Sequence, residues 1–185
     1  MDRFIQLVEQ NQFEPGDIEN VIAQPNPIAQ FRFWTENKLR TPEDYFFNIP
    51  YLLACAACRI NPAHWHDPEV KQDQRIREFI QRVPVKVEID EGDFLKAKRE
   101  DPRTFKMRLE LVAKGRTFKE DIPYIKGAFE PEEYRSSDDD LIGKFCDNTS
   151  RILSQEKAGK AARILLEIDK FDSIARAMYE IAPRK

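Results

Sequence analysis

Two cysteines and the only two histidines of the chain lie within twelve residues of each other. Cys55 and Cys58 form a Cys-x2-Cys pair, and His64 and His66 follow as His-x-His. Thiolate and imidazole are ligands that Zn²⁺ prefers, so one interpretation is a zinc-stabilised module with zinc as its cofactor. The other interpretation is an ordinary core, because both thiols lie inside the apolar run YLLACAAC, which predicts a buried helix. The sequence favours the buried thiols, and zinc stays the alternative.

The same two imidazoles are the only ones available for acid–base catalysis. His66 precedes Asp67, but Asp67 stands before Pro68, and an acceptor side chain before proline predicts a helix cap. The sequence contains no Gly-x-Ser-x-Gly elbow, and no cysteine lies in a predicted loop that would lower its pKa. We therefore assign no catalytic residue, and a serine or cysteine hydrolase is disfavoured.

Six glycines limit the nucleotide chemistry that the chain can perform. The closest two, Gly115 and Gly127, are twelve positions apart. Loops that hold phosphates need two or more glycines within about seven residues, because only glycine lets the backbone approach the phosphates closely. The sequence therefore predicts no nucleotide-binding loop.

Acidic side chains cluster where a predicted strand ends. Glu88, Asp90, Glu91 and Asp93 lie within six residues of one another, and carboxylates at such an edge can hold Mg²⁺. One alternative is therefore a metal-dependent phosphodiesterase that uses Glu88, Asp90 and Asp93. A solvated strand end, with Asp93 as a helix cap, explains the same cluster without a metal.

Basic residues dominate the next segment. Residues 95–119 carry nine basic and three acidic side chains, whereas residues 120–149 carry three and nine. A basic β-hairpin can contact nucleic-acid phosphates, although pairing with the acidic neighbour explains the charges as well. The candidate nucleic-acid contacts are Lys96, Lys98, Arg99, Arg103, Lys106, Arg108, Lys114 and Arg116.

Aromatic residues are concentrated in 21 positions of the N-terminal half. They supply more ring surface than one helical layer needs, and aromatic side chains also anchor protein interfaces. We therefore expect a non-catalytic subunit of a larger assembly that binds other protein subunits, with nucleic acid as a possible second partner and an enzyme disfavoured. The aromatic residues are Phe31, Phe33, Trp34, Tyr45, Phe46, Phe47 and Tyr51.

Proline and capping residues predict the helices that position these groups. Asn26, Thr41, Asn61 and Asp67 each precede a proline, and Thr41 with Asp44 fits a capping box. The apolar spacing between such sites gives a helical N-terminal layer. The predicted helices cover residues 2–12, 16–24, 27–38, 42–60 (bent at Pro50) and 68–82.

Alternating residues in the middle of the chain predict strands. Residues 85–89 and 105–113 alternate apolar and polar side chains, with a turn at Lys114-Gly115 and a short helix over 93–100 between them. Ser137 is predicted to cap a C-terminal helix, and Gly159 to separate it from the next. The fold class is therefore α+β and predominantly helical: one domain with a helical layer (1–82), a small antiparallel hairpin sheet (83–128) and a C-terminal helical pair (129–185).

The cysteine count and the apolar runs indicate in which cellular compartment the protein lies. Three cysteines are an odd number, and the first residues, MDRFIQLVEQ, lack the apolar core of a signal peptide. The longest apolar run, Tyr51 to Cys58, is too short to cross a bilayer. We expect a cytoplasmic protein with free thiols and no membrane partner.

Overall fold

The computed structural model describes residues 1–36, 39 and 41–182. The predicted fold class is confirmed: the chain is α+β and mostly helical, with one small sheet. The chain divides into two compact units, Met1–Tyr134 and Arg135–Lys185. The prediction of a single folding domain stays a prediction.

The first unit contains the sheet and the helices that cover it. Among its described residues are seven α-helices, and four strands that form the sheet. The helices are α1 (Asp2–Gln10), α2 (Arg32–Thr35), α3 (Pro42–Phe47), α4 (Ile49–Ala57), α5 (Pro68–Lys71), α6 (Gln74–Arg82) and α7 (Glu91–Glu100), and the strands are β1 (Ile18–Gln24), β2 (Val85–Val87), β3 (Met107–Ala113) and β4 (Arg116–Ile122).

The sheet has the strand order β2-β1-β3-β4. Strand β1 pairs in parallel with β2, with Val21 beside Val85, and antiparallel with β3, with Val21 beside Leu111. Strands β3 and β4 form the predicted hairpin, and the turn residues Lys114 and Gly115 both have positive φ. Positive φ at both positions of a two-residue turn matches the right-handed twist of the strands. The sheet is mixed, and not antiparallel throughout as predicted, because β1 and β2 pair in parallel.

The helix predicted over residues 16–24 is wrong, because this segment is the central strand β1. Ile18 and Val21 are both fully buried although they lie three residues apart, which is a helical spacing. A shift in the β1–β3 register between Ile18 and Asn20 allows this arrangement. The irregularity adds one residue to the strand, so both side chains reach the core face.

Two predicted helices are each divided into two. The prediction over 42–60 becomes α3 and α4, because Asn48 ends one helix and caps the next by accepting a hydrogen bond from the Tyr51 amide at 2.9 Å. The prediction over 68–82 becomes α5 and α6, where Asp73 accepts from the Arg75 amide at 2.9 Å. The prediction over 27–38 becomes a 3-10 turn, Pro27–Gln30, and α2. Its last two positions lie outside the described residues.

The core of the first unit lies between the sheet and helices α1, α4 and α6. Helix α4 is apolar on every side, and seven of its nine residues are buried, as the run YLLACAAC predicted. Val21 and Leu111 bring the buried face of the sheet into the same cluster. The largest fully buried side chains include Phe4 on α1, Tyr51 on α4 and Phe79 on α6.

The second unit is helical. Its helices are α8 (Asp138–Thr149), α9 (Gln155–Leu166) and α10 (Ile174–Ile181). Ser137 caps α8 as predicted, by accepting from the Asp140 amide at 3.1 Å. The break predicted at Gly159 is wrong, since this residue lies inside α9 and the helix begins after Ser154. Within the described part of the chain, every helix is too short or too polar to cross a membrane.

Phe79 is 1% exposed, and truncation should leave a cavity that the packed helices cannot fill. We expect Phe79→Ala to lower the free energy of unfolding by about 3–5 kcal/mol. The control Phe129→Ala changes a ring that is 76% exposed and should cost much less. Urea unfolding measures the free energy of unfolding of both variants. Equal losses would show that Phe79 on α6 contributes no more to the core than an exposed ring does.

Candidate active site

Both histidines lie in the short connection between α4 and α5. Asn61 begins a 3-10 turn, Pro62–His64, and accepts a hydrogen bond from the Ala63 amide at 2.9 Å. A second turn follows at once, because the Asp67 amide donates to the His64 carbonyl at 3.0 Å. Two successive turns therefore present His64, His66 and Asp67 within four residues, next to the aromatic side chains of α3.

Asp67 binds an imidazole instead of capping a helix. It occupies the N-cap position of α5, but its carboxylate makes no capping hydrogen bond there. Oδ2 of Asp67 lies 2.9 Å from Nδ1 of His64, and both side chains are mostly shielded from solvent. Since an ionised carboxylate only accepts, Nδ1 of His64 carries the hydrogen that faces Asp67, and Nε2 is the nitrogen left to face a substrate. The predicted capping role of Asp67 is thus wrong, and the carboxylate orients His64.

His66 is held in a less polar environment. Its ring lies 4.3 Å from the ring of Phe46, centroid to centroid. Among the described side chains, its Nδ1 is a buried polar atom with no hydrogen-bond partner. Burial lowers the pKa of His66, and the positive charge of Lys71 lowers it further, while Asp67 acts in the opposite direction. His66 is therefore a neutral imidazole at pH 7.

Lys71 completes this group of residues. Its Nζ lies 5.1 Å from the ring centroid of Tyr45 and 5.8 Å from that of Phe46, both on α3. An ammonium group at such distances is attracted to the negative face of an aromatic ring. The ring of Phe46 therefore contacts both His66 and Lys71. Sequence reasoning missed Lys71, because nothing in the spacing indicates that α5 turns toward α3.

The structure does not assemble the predicted zinc ligands. Cys55 is fully buried in α4, and Cys58 is half-buried at its end. Burial raises the pKa of Cys55 to about 12 and that of Cys58 to about 11, whereas zinc binds the thiolate. His64 is paired with Asp67, and His66 packs on Phe46. Among the described residues, no group of three or more His, Cys, Asp or Glu side chains is arranged to hold a metal ion, so the structure does not support the zinc-stabilised module.

The acidic cluster is occupied by caps and ion pairs. Asp90 accepts from the Asp93 amide at 2.8 Å and caps α7. The carboxylate of Asp93 lies 3.4 Å from Arg108 and 3.8 Å from Lys106, and Glu88 lies 2.5 Å from Lys86. Two of the three carboxylates that the phosphodiesterase interpretation assigned to Mg²⁺ pair with cations of the chain and the third caps a helix, so that interpretation is wrong.

Most of the predicted nucleic-acid contacts face partners within the chain. Arg108 also binds Asp121 at 2.8 Å across the β3–β4 hairpin, which confirms the self-pairing alternative at this position. Arg116 lies over the ring of Phe118, 5.0 Å from its centroid. The others are Arg103, 2.9 Å from Asp101; Lys106, near Asp93; Lys114, 3.1 Å from Asp17; Lys98, which donates to the Pro102 carbonyl at 2.8 Å; and Lys96 and Arg99, which lie on α7.

A groove of about 280 Å³ lies over the polar face of the sheet. Ile22 and Leu109 belong to its lining, and its charged side chains pair with one another or with neighbours, as in Glu110 with Lys119 at 2.9 Å. Neither an imidazole nor a thiol lines this groove. Its residues supply charge but no group suited to proton transfer near neutral pH.

The aromatic cluster is divided between the core and the surface. Tyr51 is fully buried, whereas Phe31 is 52% and Phe47 is 48% exposed. The exposed rings contact one another, with Phe31 on Phe33 at 5.8 Å and Trp34 on Phe47 at 5.5 Å. Binding of other protein subunits, predicted from these rings, stays a prediction.

The site brings together a carboxylate–imidazole pair, a neutral imidazole and a lysine on an α+β domain. Side chains of these types can donate and accept protons in acid–base catalysis. The sequence profile of the MmgE/PrpD C-terminal domain matches residues 1–170 of the 185. The chain therefore belongs to the MmgE/PrpD C-terminal domain family. No curated protein matches the sequence at a significant level.

The family corrects the expected function. MmgE/PrpD proteins are enzymes of the dehydratase type. The expectation of a non-catalytic interaction subunit that contacts nucleic acid is therefore wrong. Sequence reasoning reached it because no single motif here carries catalysis, and because the aromatic residues and the basic hairpin favoured an interaction role.

The lowered pKa of His66 makes the stability of the fold depend on pH. The unfolded chain, with its ordinary pKa of 6.5, binds a proton before the folded chain does. The free energy of unfolding should therefore fall as the pH decreases below this value. Glutamine does not bind this proton, so His66→Gln should lose less stability over the same pH range. Urea midpoints at about pH 7.5 and about pH 5.5 measure both proteins. Equal losses of stability on acidification in the wild type and in His66→Gln would contradict the burial of His66.

Proposed function

We propose that this chain takes part in the dehydratase-type chemistry of its family, that His64 and His66 transfer the protons, and that Asp67 and Lys71 set the electrostatic surroundings of these two imidazoles. The observation that carries the proposal is the hydrogen bond that Nδ1 of His64 donates to the carboxylate of Asp67. A carboxylate at an N-cap position ordinarily stabilises its helix by about 1 kcal/mol. Here the carboxylate orients an imidazole instead, and the cap of α5 is left unmade.

Dehydration requires a base and an acid. A proton leaves one carbon, a hydroxyl group leaves the neighbouring carbon, and the products are a double bond and water. His66, neutral at pH 7, accepts the carbon-bound proton. His64 donates its proton to the departing hydroxyl, and Asp67 stabilises the positive charge that the ring carries before the transfer.

The two imidazoles lie in different environments, and this difference supports the division of roles. His66 contacts Phe46 and is disfavoured as a cation by burial and by Lys71. His64 instead lies 2.9 Å from the carboxylate of Asp67. Neighbouring titratable groups in different surroundings are the usual basis for separate acid and base roles. The proposed chemistry uses only side chains of this chain, and the cofactor prediction of none, with zinc as the alternative, stays a prediction.

We also propose a cytoplasmic location. Cys55, Cys58 and Cys146 are free thiols in the structure, which supports a reducing compartment. Fractionation of the native source, with antibody detection of the protein, tests this point.

The pair of aspartates at the starts of α5 and α6 gives a matched test. His64→Gln should lower kcat by about 100-fold, and Asp67→Asn by about 10-fold, because general acid–base groups contribute factors of this order. Asp73→Ala removes an aspartate that does cap its helix, so it should lower the free energy of unfolding by about 1 kcal/mol and leave kcat unchanged. The assay follows the ultraviolet absorbance of the new double bond with a panel of β-hydroxy carboxylates.

An unchanged kcat in His64→Gln would contradict the proposal. Equal losses of kcat in Asp67→Asn and Asp73→Ala would also contradict it, because the effect would then come from helix stability. Thermal unfolding of all the variants separates these outcomes.

A further inference from the structure

One buried hydroxyl connects the core to the segment that carries both histidines. Tyr51 is 0% exposed, and its hydroxyl donates a hydrogen bond to the carbonyl of Trp65 at 2.5 Å. Trp65 stands between His64 and His66 in the sequence. The Trp65 carbonyl and the His66 amide belong to one planar peptide unit. The direction of the carbonyl therefore sets the orientation of the backbone that leads into His66.

Tyr51 itself is held rigidly. Its amide donates to the side chain of Asn48, whose Nδ2 donates to the carbonyls of Phe33 and Glu36 at 3.1 and 2.6 Å. The ring of Tyr45 packs edge-on against that of Tyr51, 5.0 Å between centroids. Burial raises the pKa of Tyr51 far above its usual value, so the hydroxyl stays a donor throughout the physiological range.

The Trp65 side chain holds the same peptide segment from its other end. Its Nε1 donates to the carbonyl of Ile60 at 2.8 Å, and the residue is 7% exposed. The indole anchors the side chain of Trp65, while the Tyr51 hydroxyl sets the orientation of its carbonyl. Two independent bonds therefore define the backbone between the two imidazoles, and the hydroxyl of Tyr51 is the one that acts on the peptide leading to His66.

We infer that Tyr51 is a positioning residue of the site: its hydroxyl, through the Trp65 carbonyl, holds the ring of His66 against Phe46. This inference rests on the proposed function of His64 and His66 in proton transfer. Tyr51 lies behind the backbone and acts on the reaction through His66. Loss of the hydroxyl should therefore change the environment of His66 and the rate, with little effect on substrate affinity.

Tyr51→Phe tests the inference, with Tyr45→Phe as the matched control. The control removes a hydroxyl from the neighbouring tyrosine of the same aromatic pair. In Tyr51→Phe we expect kcat to fall about 10-fold with KM within about twofold, and the lower limb of the pH–rate profile to move. The control should keep the wild-type kcat and profile.

A second readout does not depend on activity. Proton NMR titration of the imidazole Cε1–H signals reports the pKa of each histidine. In Tyr51→Phe the His66 pKa should rise toward its ordinary value, because the ring leaves its shielded position on Phe46. Identical His66 titration curves in wild type and Tyr51→Phe would overturn the inference. A His66 curve that moves equally in the Tyr45→Phe control would overturn it too.

The two proposals fail separately. A moved His66 curve together with full activity of His64→Gln removes the proposed function and leaves Tyr51 as the support of His66. If Tyr51→Phe does not fold, fluorotyrosine at position 51 keeps the ring and strengthens the donor. The His66 signals should then shift, and unshifted signals would overturn the inference.

Discussion

The burial of helix α4 is the constraint on which the rest of the first unit depends. Seven of its nine residues are inaccessible, and it packs against α1 and α6 while the sheet closes the same core. Because the helix is apolar on all sides, it cannot rotate to expose a face without losing buried area. Asn48 at its start and Tyr51 in its first turn therefore have fixed positions, and both extend polar contacts to the segments around them.

Electrostatics of the first unit is organised by the sheet. Some charged residues that belong to the basic and acidic segments of the sequence pair with each other on its polar face, as Arg108 does with Asp121. Arg108 lies between Asp93 from α7 and Asp121 from β4, so one guanidinium joins three elements. Exposed pairs of this kind contribute little free energy each. Because these pairs join side chains from different segments, the net charge of a sequence segment does not predict the net charge of the surface on which it lies.

Local signals predicted much of the fold. The hairpin around Gly115, the capped starts of α3 and α8 and the buried run in α4 all follow from residue types within a few positions of one another. The strand at residues 18–24 could not be predicted in this way, because a register shift gives it helical spacing. The site was predicted only in its histidines. The partners Phe46 and Lys71 come from other elements, and the bond from Asp67 to His64 competes with a helix cap that sequence reasoning favours.

The unmade cap of α5 has a consequence for how this position can vary. For helix stability alone, serine, threonine, asparagine and aspartate are nearly interchangeable at an N-cap. For an imidazole that carries its hydrogen on Nδ1, only a carboxylate supplies both an acceptor and a compensating negative charge. Helix capping therefore permits several polar residues at position 67, whereas the pair with the imidazole permits only an acid. Variation among polar residues there would mark chains that kept the helix and abandoned the imidazole pair, whereas a constant acid would mark chains that kept both.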